Sequence, residues 1–477
     1  MLDGQLEPTN RHLPSETTAM GSFTNFPANL AAMLQLGFLE REFEEGLDSI
    51  LAYRRENLEE TVPVRIGETI TRTRTGRITP TTTPLNPSTN TGLDNGLTPV
   101  DGALEQYSFT MQQYSTTTDV NLMNDLAAIA NNLIRVSRNN GVAAAQSLER
   151  ITRLKLFSAY LGGNSRVRTD LGAGSTTTCH VDDVRGFQTV LVNGVVTPIS
   201  GSNTLTVQET NVSGVGYTQT LTVTGYTIDS VNASSVPDGV SGTITFSAAS
   251  NTPANGDALI AANAPQILRP FSHLTTAQLT GQDVLTLGLV EDALARLRDN
   301  AVPPMDDGTF HIILDNTSMR QLFADQDFKV LYAGNSNNAS TYRDGDVIIL
   351  LGMTFIPTTE AYVQNANSSA ATGASANTVK VRRPIAIGAE ATIQGNFEGL
   401  ETFLMRDGVS PIGEVFLANS IAHIIRPPLD RLQQSASLTW NWIGDIAVPS
   451  DATATTSVIP TASNALFKRA IVLETAG

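Results

Sequence analysis

Hydrophobic positions along this 477-residue chain change period several times, and the changes divide it into parts. Residues 1–27 are polar and punctuated by Pro8, Pro14 and Pro27, which predicts an irregular arm. Over residues 28–60, Leu30, Met33, Leu34, Phe38, Phe43, Leu47, Ile50 and Leu51 recur at helical spacing, which predicts helix. The period then drops to two. Val62, Val64 and Ile66 alternate with Pro63, Arg65 and Gly67, and Ile70-Thr71-Arg72-Thr73-Arg74 continues the strand. The chain loosens through Thr79–Pro84 and Asn86-Pro87, turns at Asp94-Asn95-Gly96 and returns as Gln106–Met111. Residues 61–119 therefore read as one long hairpin with little core of its own. Ordering each residue costs about 1–2 kcal/mol of backbone entropy, so such an arm is expected to lie on another surface, that of a second copy.

A long helical pattern follows. Thr118 or Asp119 is the expected cap, and Leu122, Leu126, Ile129, Leu133 and Val136 repeat with one apolar stripe. Asn139-Asn140-Gly141 predicts a kink or break before Leu148, Ile151, Leu154 and Phe157 resume the stripe up to Gly162-Gly163. From 171 to 268 the composition turns to Thr, Ser, Val, Gly and Asn. Short alternating strands such as Thr204–Val207, Thr220–Thr224 and Thr243–Phe246 predict an inserted antiparallel sandwich or barrel.

Residues 272–380 alternate helix and strand. Val284–Leu297 is an amphipathic helix, and Phe310–Leu314 is a strand whose following helix Asn316 or Thr317 should cap. Val347–Leu351 and Met353–Ile356 are two more strands, and residues 364–378 form a loop. Residues 379–448 are strand-rich with a helix expected around Pro411–Ala422, and Ala470–Leu473 is a last strand. The expected parts are an N-terminal arm (1–60), a hairpin loop (61–119), a long helix (120–170), a β insertion (171–268), an α/β domain (269–425) and returning strands with a tail (426–477).

Charge sharpens this picture. The net charge of −16 opposes a general nucleic-acid binder, which would show a basic face. Within that acidic chain the first hairpin strand carries Arg65, Arg72, Arg74 and Arg77, while the preceding helix carries Glu40, Glu42, Glu44 and Glu45. Opposite charge on neighbouring arms predicts docking between subunits, the alternative being two solvated faces. Arginine outnumbers lysine 26 to 4, which suits fixed interfacial ion pairs or reflects codon bias.

Candidate chemistry is sparse. Phosphate-binding and dinucleotide glycine loops and the serine elbow are absent from the sequence. One cysteine, Cys179, excludes an internal disulfide. Cys179 and His180 are adjacent, so on a strand they point to opposite faces and do not share an ion. His311 in its apolar strand reads as a satisfied core histidine. Asp306-Asp307-Gly308 reads as a turn. No apolar run approaches the ~20 residues of a membrane span, and Met1–Glu7 lacks the basic and apolar parts of a signal peptide. The expectation is a non-enzymatic chain made in a cytoplasm, with no cofactor and no metal.

The order of parts resembles the major capsid proteins of tailed bacteriophages, with the Hong Kong 97-type fold. Val64–Ile70 is similar to the start of that family's extended loop, residues 119–162 to its spine helix, and Phe310–Leu322 to the strand-then-helix of its axial domain. The resemblance covers most of residues 28–448, and residues 171–268 depart from the minimal fold as an added β domain. It implies an α+β capsid fold and a structural protein that assembles with itself into hexamers and pentamers of an icosahedral head. That head would enclose double-stranded DNA, touched only weakly and non-specifically, and would be assembled in the host cytoplasm. Scaffolding, portal and decoration proteins are the further partners implied, and no membrane is. Some relatives lock their shells through a loop lysine, and this loop has none from Thr61 to Asp119. An encapsulin-type shell enclosing protein cargo is the related alternative, and a secreted β-rich adhesin is the alternative of another class.

Overall fold

A computed structural model describes residues 36–48, 52–63, 69–76, 104–121, 132–192, 195–211, 217–231, 239–262, 264–334, 348–365, 379–398, 414–426, 434–449 and 468–477, with a few isolated positions between. The fold is α+β. The chain divides into two compact units: residues 1–47, 115–142 and 401–442 form one, and residues 48–114, 143–400 and 443–477 the other.

In the first unit the helix Leu36–Asp48 buries Leu39, Phe43 and Leu47, spaced by four, as one face. That face lies on the first turns of the helix Asn132–Leu161. Helix was expected over all of 28–60. Arg54–Glu56 instead form a single 3-10 turn, and Leu58–Val62 are a strand. Thr118 and Asp119 do not cap the long helix; they lie inside the strand Gln112–Asn121. Residues 122–131, with the first half of the predicted stripe, are outside the described residues.

The expected break at Gly141 is absent, and the helix runs through it. A Cβ on Gly141 would lie 2.3 Å from the Phe43 carbonyl oxygen, and one on Gly46 2.5 Å from the Arg138 oxygen. Both glycines serve close helix contact, not a break. Asn140 is buried beside them; it accepts from the Thr118 hydroxyl at 3.0 Å and donates to the Leu438 carbonyl at 3.2 Å.

The helix expected around Pro411–Ala422 is a β-hairpin over its described part. Glu414–Ala418 pairs with Ile421–Arg426, and Asn419 and Ser420 turn the corner with φ of 49° and 64°. Two consecutive left-handed residues match the twist of such a hairpin. The returning strand pairs in turn with residues 437–441.

In the second unit, a six-stranded sheet runs in the order Ile267–Leu268, Ala470–Leu473, Ile385–Ile387, Phe310–Asp315, Met353–Thr358 and Ile348–Leu350. One face packs on the helix Leu287–Asp299 through Leu287, Val290, Ala293, Leu294 and Leu297. The other packs on the end of the long helix through Leu156, Phe157 and Tyr160. The helix Asn316–Ala324 is capped by Asp315, which accepts from the Thr317 amide at 3.0 Å. The cap therefore lies one residue before the expected Asn316 and two before Thr317. Buried Glu149 accepts the amides of Ala52, Tyr53 and Arg54 at 2.9, 2.6 and 3.0 Å, fixing the segment before Leu58–Val62.

A second six-stranded sheet in this unit orders Asn164–Arg166, Ala258–Ala261, Leu205–Thr210, Tyr217–Ile228, Gly242–Phe246 and Thr178–Val181. Val167 bridges Val181, so the edges meet and the sheet closes into a small barrel. Alternate residues fill it: Leu205 and Val207, Leu221 and Val223, Ile244 and Phe246. Arg166 and Arg168 share Asp182 at the seam, at 2.9 and 3.3 Å.

Candidate assembly surface

The hairpin is the part of the chain that sequence reasoning ties to assembly. Thr69–Thr75 pairs with Leu104–Thr110 in an antiparallel register that sets Ile70 opposite Phe109, Arg72 opposite Tyr107 and Arg74 opposite Glu105. Its base is not coreless. Ile70, Tyr107 and Phe109 are buried together with Val62, Ile393 and Ala447. Phe109 lies so close to Gly395 that a Cβ there would come within 2.9 Å of the ring. The alternation Tyr107-Phe109-Met111 carried this signal, because it puts three large apolar residues on one strand face.

Charge pins the same base. The Tyr107 hydroxyl donates to Glu60 at 2.8 Å, and Arg72 stands 3.6 Å from the other Glu60 oxygen. Burial first, then the Glu60 contact, pushes Tyr107 up to about 12. Arg74 sits over the Tyr107 ring at 5.9 Å and reaches both the Glu390 carboxylate and the Glu390 carbonyl at 3.1 Å. Arg469 shares that carboxylate at 2.7 Å. The Thr110 amide donates to Asp445 at 2.9 Å, and Lys155 holds its second oxygen at 3.1 Å.

Between and after these anchors the strand is open: Thr71, Arg72, Thr73 and Thr75 are exposed, and Ile78, just past the strand, is 66% exposed. The side chains of Arg72 and Arg74 thus differ sharply, at 45% and 9% exposed. Arg65 and Arg77 lie outside the described residues, as does the turn at Asp94-Asn95-Gly96.

On the acidic helix, Glu44 and Glu45 are exposed while Glu40 and Glu42 are half-buried. Glu45 pairs with Arg138 at 3.1 Å, an exposed contact. Glu40 is raised above the usual carboxylate range, by burial first and then by Glu44. The described partners of the expected contact residues are therefore Glu60 for Arg72, Glu390 for Arg74 and Arg138 for Glu45. Glu60 ends the acidic stretch that precedes the hairpin, though it is not among the expected contact residues, and Glu390, far off in the chain, carries no such signal.

The other candidate chemistry resolves locally. Cys179 is buried, and His180 faces the other side of its strand beside Thr243. His311 is held between Glu56 and Asp307. Burial opposes its charge, but the two carboxylates outweigh that and raise it above the ordinary histidine value. Among the described residues there is no cluster of three or more metal-ligating side chains. Nor is any described helix long and apolar enough to cross a membrane.

No protein-family profile matches this chain, and no curated protein matches it. Among solved structures it is similar to the capsid of Ralstonia phage GP4, at 9% identity over 100% of this chain and 98% of that chain, with a TM-score of 0.47. It is also similar to the capsid of Cyanophage P-SCSP1u, at 11% identity over 88% of this chain and 87% of that one, with a TM-score of 0.41. For the asymmetric unit of the Cyanophage Pam1 capsid the identity is 11%, the coverage 87% and 86%, and the TM-score 0.43. These three solved structures are bacteriophage and cyanophage capsids.

Proposed function

We propose that this chain is a structural subunit of a phage head, assembling with copies of itself as hexamers and pentamers of a closed shell around double-stranded DNA. The carrying observation is the hairpin. It is anchored by Phe109, Tyr107 and Arg74, while Thr71, Arg72, Thr73 and Thr75, which alternate with or follow the anchored residues, and Ile78 just past the strand are exposed. An isolated two-stranded ribbon is at best marginally stable in water. Firm anchors beside uncovered residues suit a ribbon completed by another subunit. The order of arm, hairpin, long helix, α/β sheet and returning strands supports the same reading, and a net charge of −16 suits a wall along which DNA moves without adhering.

Within this reading Arg72, the more exposed of the two described hairpin arginines, reaches a neighbour, with the exposed carboxylates of the Leu36–Asp48 helix as its docking partners. Assembly takes place in the host cytoplasm, with scaffolding, portal and decoration proteins as further partners. The chain catalyses no reaction. Electron microscopy and light scattering of the purified chain test the proposal: closed shells or capsomer rings are expected. A monomer that persists at every salt and crowding condition overturns it. Nuclease-resistant DNA inside particles from infected cells is the expected content; packed protein in its place points to a cargo-loading shell.

A further inference from the structure

His311 stands on the strand Phe310–Asp315 with a carboxylate at each ring nitrogen. Nδ1 contacts a Glu56 carboxylate oxygen, and Nε2 contacts an Asp307 oxygen at 2.9 Å. The side chains of Glu56 and His311 are 7% and 13% exposed, while that of Asp307 lies open at 42%. A neutral imidazole has one N–H to donate, and ionised carboxylates only accept. Two hydrogen bonds in this row need two protons, and the imidazolium supplies both. The contacts themselves thus ask for a charged histidine.

The row is braced on its outer side. Asp307 accepts the Thr309 amide at 2.8 Å and the Thr309 hydroxyl at 2.9 Å, and that hydroxyl lies 2.7 Å from the Thr354 hydroxyl. On the inner side, Glu56 ends the turn Arg54–Glu56, two residues before the strand Leu58–Val62. That strand is the edge of a different sheet, where it pairs in parallel with Ile393–Phe397. His311 lies in the middle of the α/β sheet, between Thr354 and Ile387. The contact therefore joins two sheets at the point where the chain leaves for the hairpin.

We propose that charged His311 is a proton-dependent clamp that ties the root of the strand Leu58–Val62 to the α/β sheet. Loss of one proton leaves a ring-nitrogen lone pair facing a carboxylate, and repulsion replaces a hydrogen bond. The clamp works within one copy and does not depend on assembly. The charged groups facing the ring are Glu56 and Asp307, and its neighbours across the strands, Thr354 and Ile387, are neutral. Burial opposes the charge on His311, but the two carboxylates outweigh it and raise it above the ordinary value of 6.5. Burial works against the Asp307 charge too, yet His311 and Thr309 hold it below the usual carboxylate range.

A histidine raised in the fold stabilises fully below 6.5, and that contribution is lost as pH rises through its folded value. NMR of the full chain with labelled histidines reads the protonation. Hydrogen–deuterium exchange from about pH 6 to 9, corrected for the intrinsic exchange rate, reads the clamp. Protection of 56–62 should fall by up to about tenfold per pH unit between 6.5 and the folded midpoint and level off above it, with barrel residues 205–210 as the reference. Glu56→Gln, whose amide donates to a neutral ring nitrogen, keeps the contact without the second proton; it should flatten the exchange profile and lower the midpoint. Asp307→Asn should lower the midpoint as well. A wild-type midpoint at or below 6.5 overturns the proposal, and so does a flat wild-type exchange profile. An unchanged midpoint in whichever variant folds overturns it equally.

Discussion

Buried between two phenylalanine rings, His423 has no polar reason to be where it is. Its ring lies 4.4 Å from Phe43 and 4.7 Å from Phe416, and neither ring nitrogen has a hydrogen-bond partner among the described residues. Burial alone pulls it down to about 3, so it is neutral in the fold. In the unfolded chain it titrates near 6.5. Between those values the unfolded state binds a proton that the folded state refuses, so stability present above pH 6.5 is lost as pH falls. The loss approaches about 1.4 kcal/mol per pH unit, or about 2 kcal/mol at pH 5. Denaturation of wild type and His423→Leu at pH 7 and pH 5 checks this: the wild type should lose that much more than the variant, and equal losses would refute it. In the sequence His423 was one of five histidines without metal spacing. Nothing along the chain announces that Phe43, some 380 residues earlier, closes over it.

At the scale of elements, Gly141 sets propensity against packing. Alanine is about 1 kcal/mol better than glycine in a helix interior, so Gly141→Ala should stabilise an isolated helix. Here the added Cβ meets a backbone oxygen of the crossing helix at 2.3 Å, which cannot swing aside like a side chain. Overpacking of this kind costs about 1–3 kcal/mol, so a net loss of stability is expected in urea denaturation. A gain would show that the two helices part without penalty. Periodicity located the helix on either side of this glycine, but a glycine that breaks and a glycine that lets another backbone approach look alike in sequence. The Glu414–Arg426 hairpin makes the same point in reverse. Its turn is Asn419-Ser420, and only the pairing of Phe416 with His423 and of Ile424 with Thr439 decides for strand.

For the whole molecule, Arg72 and Arg74 separate assembly from folding. Arg74 is nearly buried between Tyr107 and Glu390, so Arg74→Glu should lower the melting temperature of the unassembled chain. Arg72 is half-exposed and 3.6 Å from Glu60, a contact worth about 0.2–1 kcal/mol at most. Arg72→Glu should therefore leave melting almost unchanged and yet block or distort shells, since a shell repeats each contact many times. Reversing Glu42 and Glu44 to Arg should partly restore assembly. Normal shells from Arg72→Glu, seen by electron microscopy, would make that strand a solvated face.

By itself the sequence determined where the period is two and where it is 3.6, and so the hairpin strands, the long helix, the strand Phe310–Asp315 and the Thr-rich barrel strands. Those signals are local, because a strand or helix buries a face that its own residues write out. It also determined the acidic surface, since net charge is a sum that needs no geometry. Only the tertiary structure decided that the hairpin base is anchored, that Arg74 and Arg72 differ, and that Asn140 and Gly141 pack rather than break. Each of these depends on a partner far away in the chain, and burial, which gives such a contact its strength, exists only once the distant segments have met.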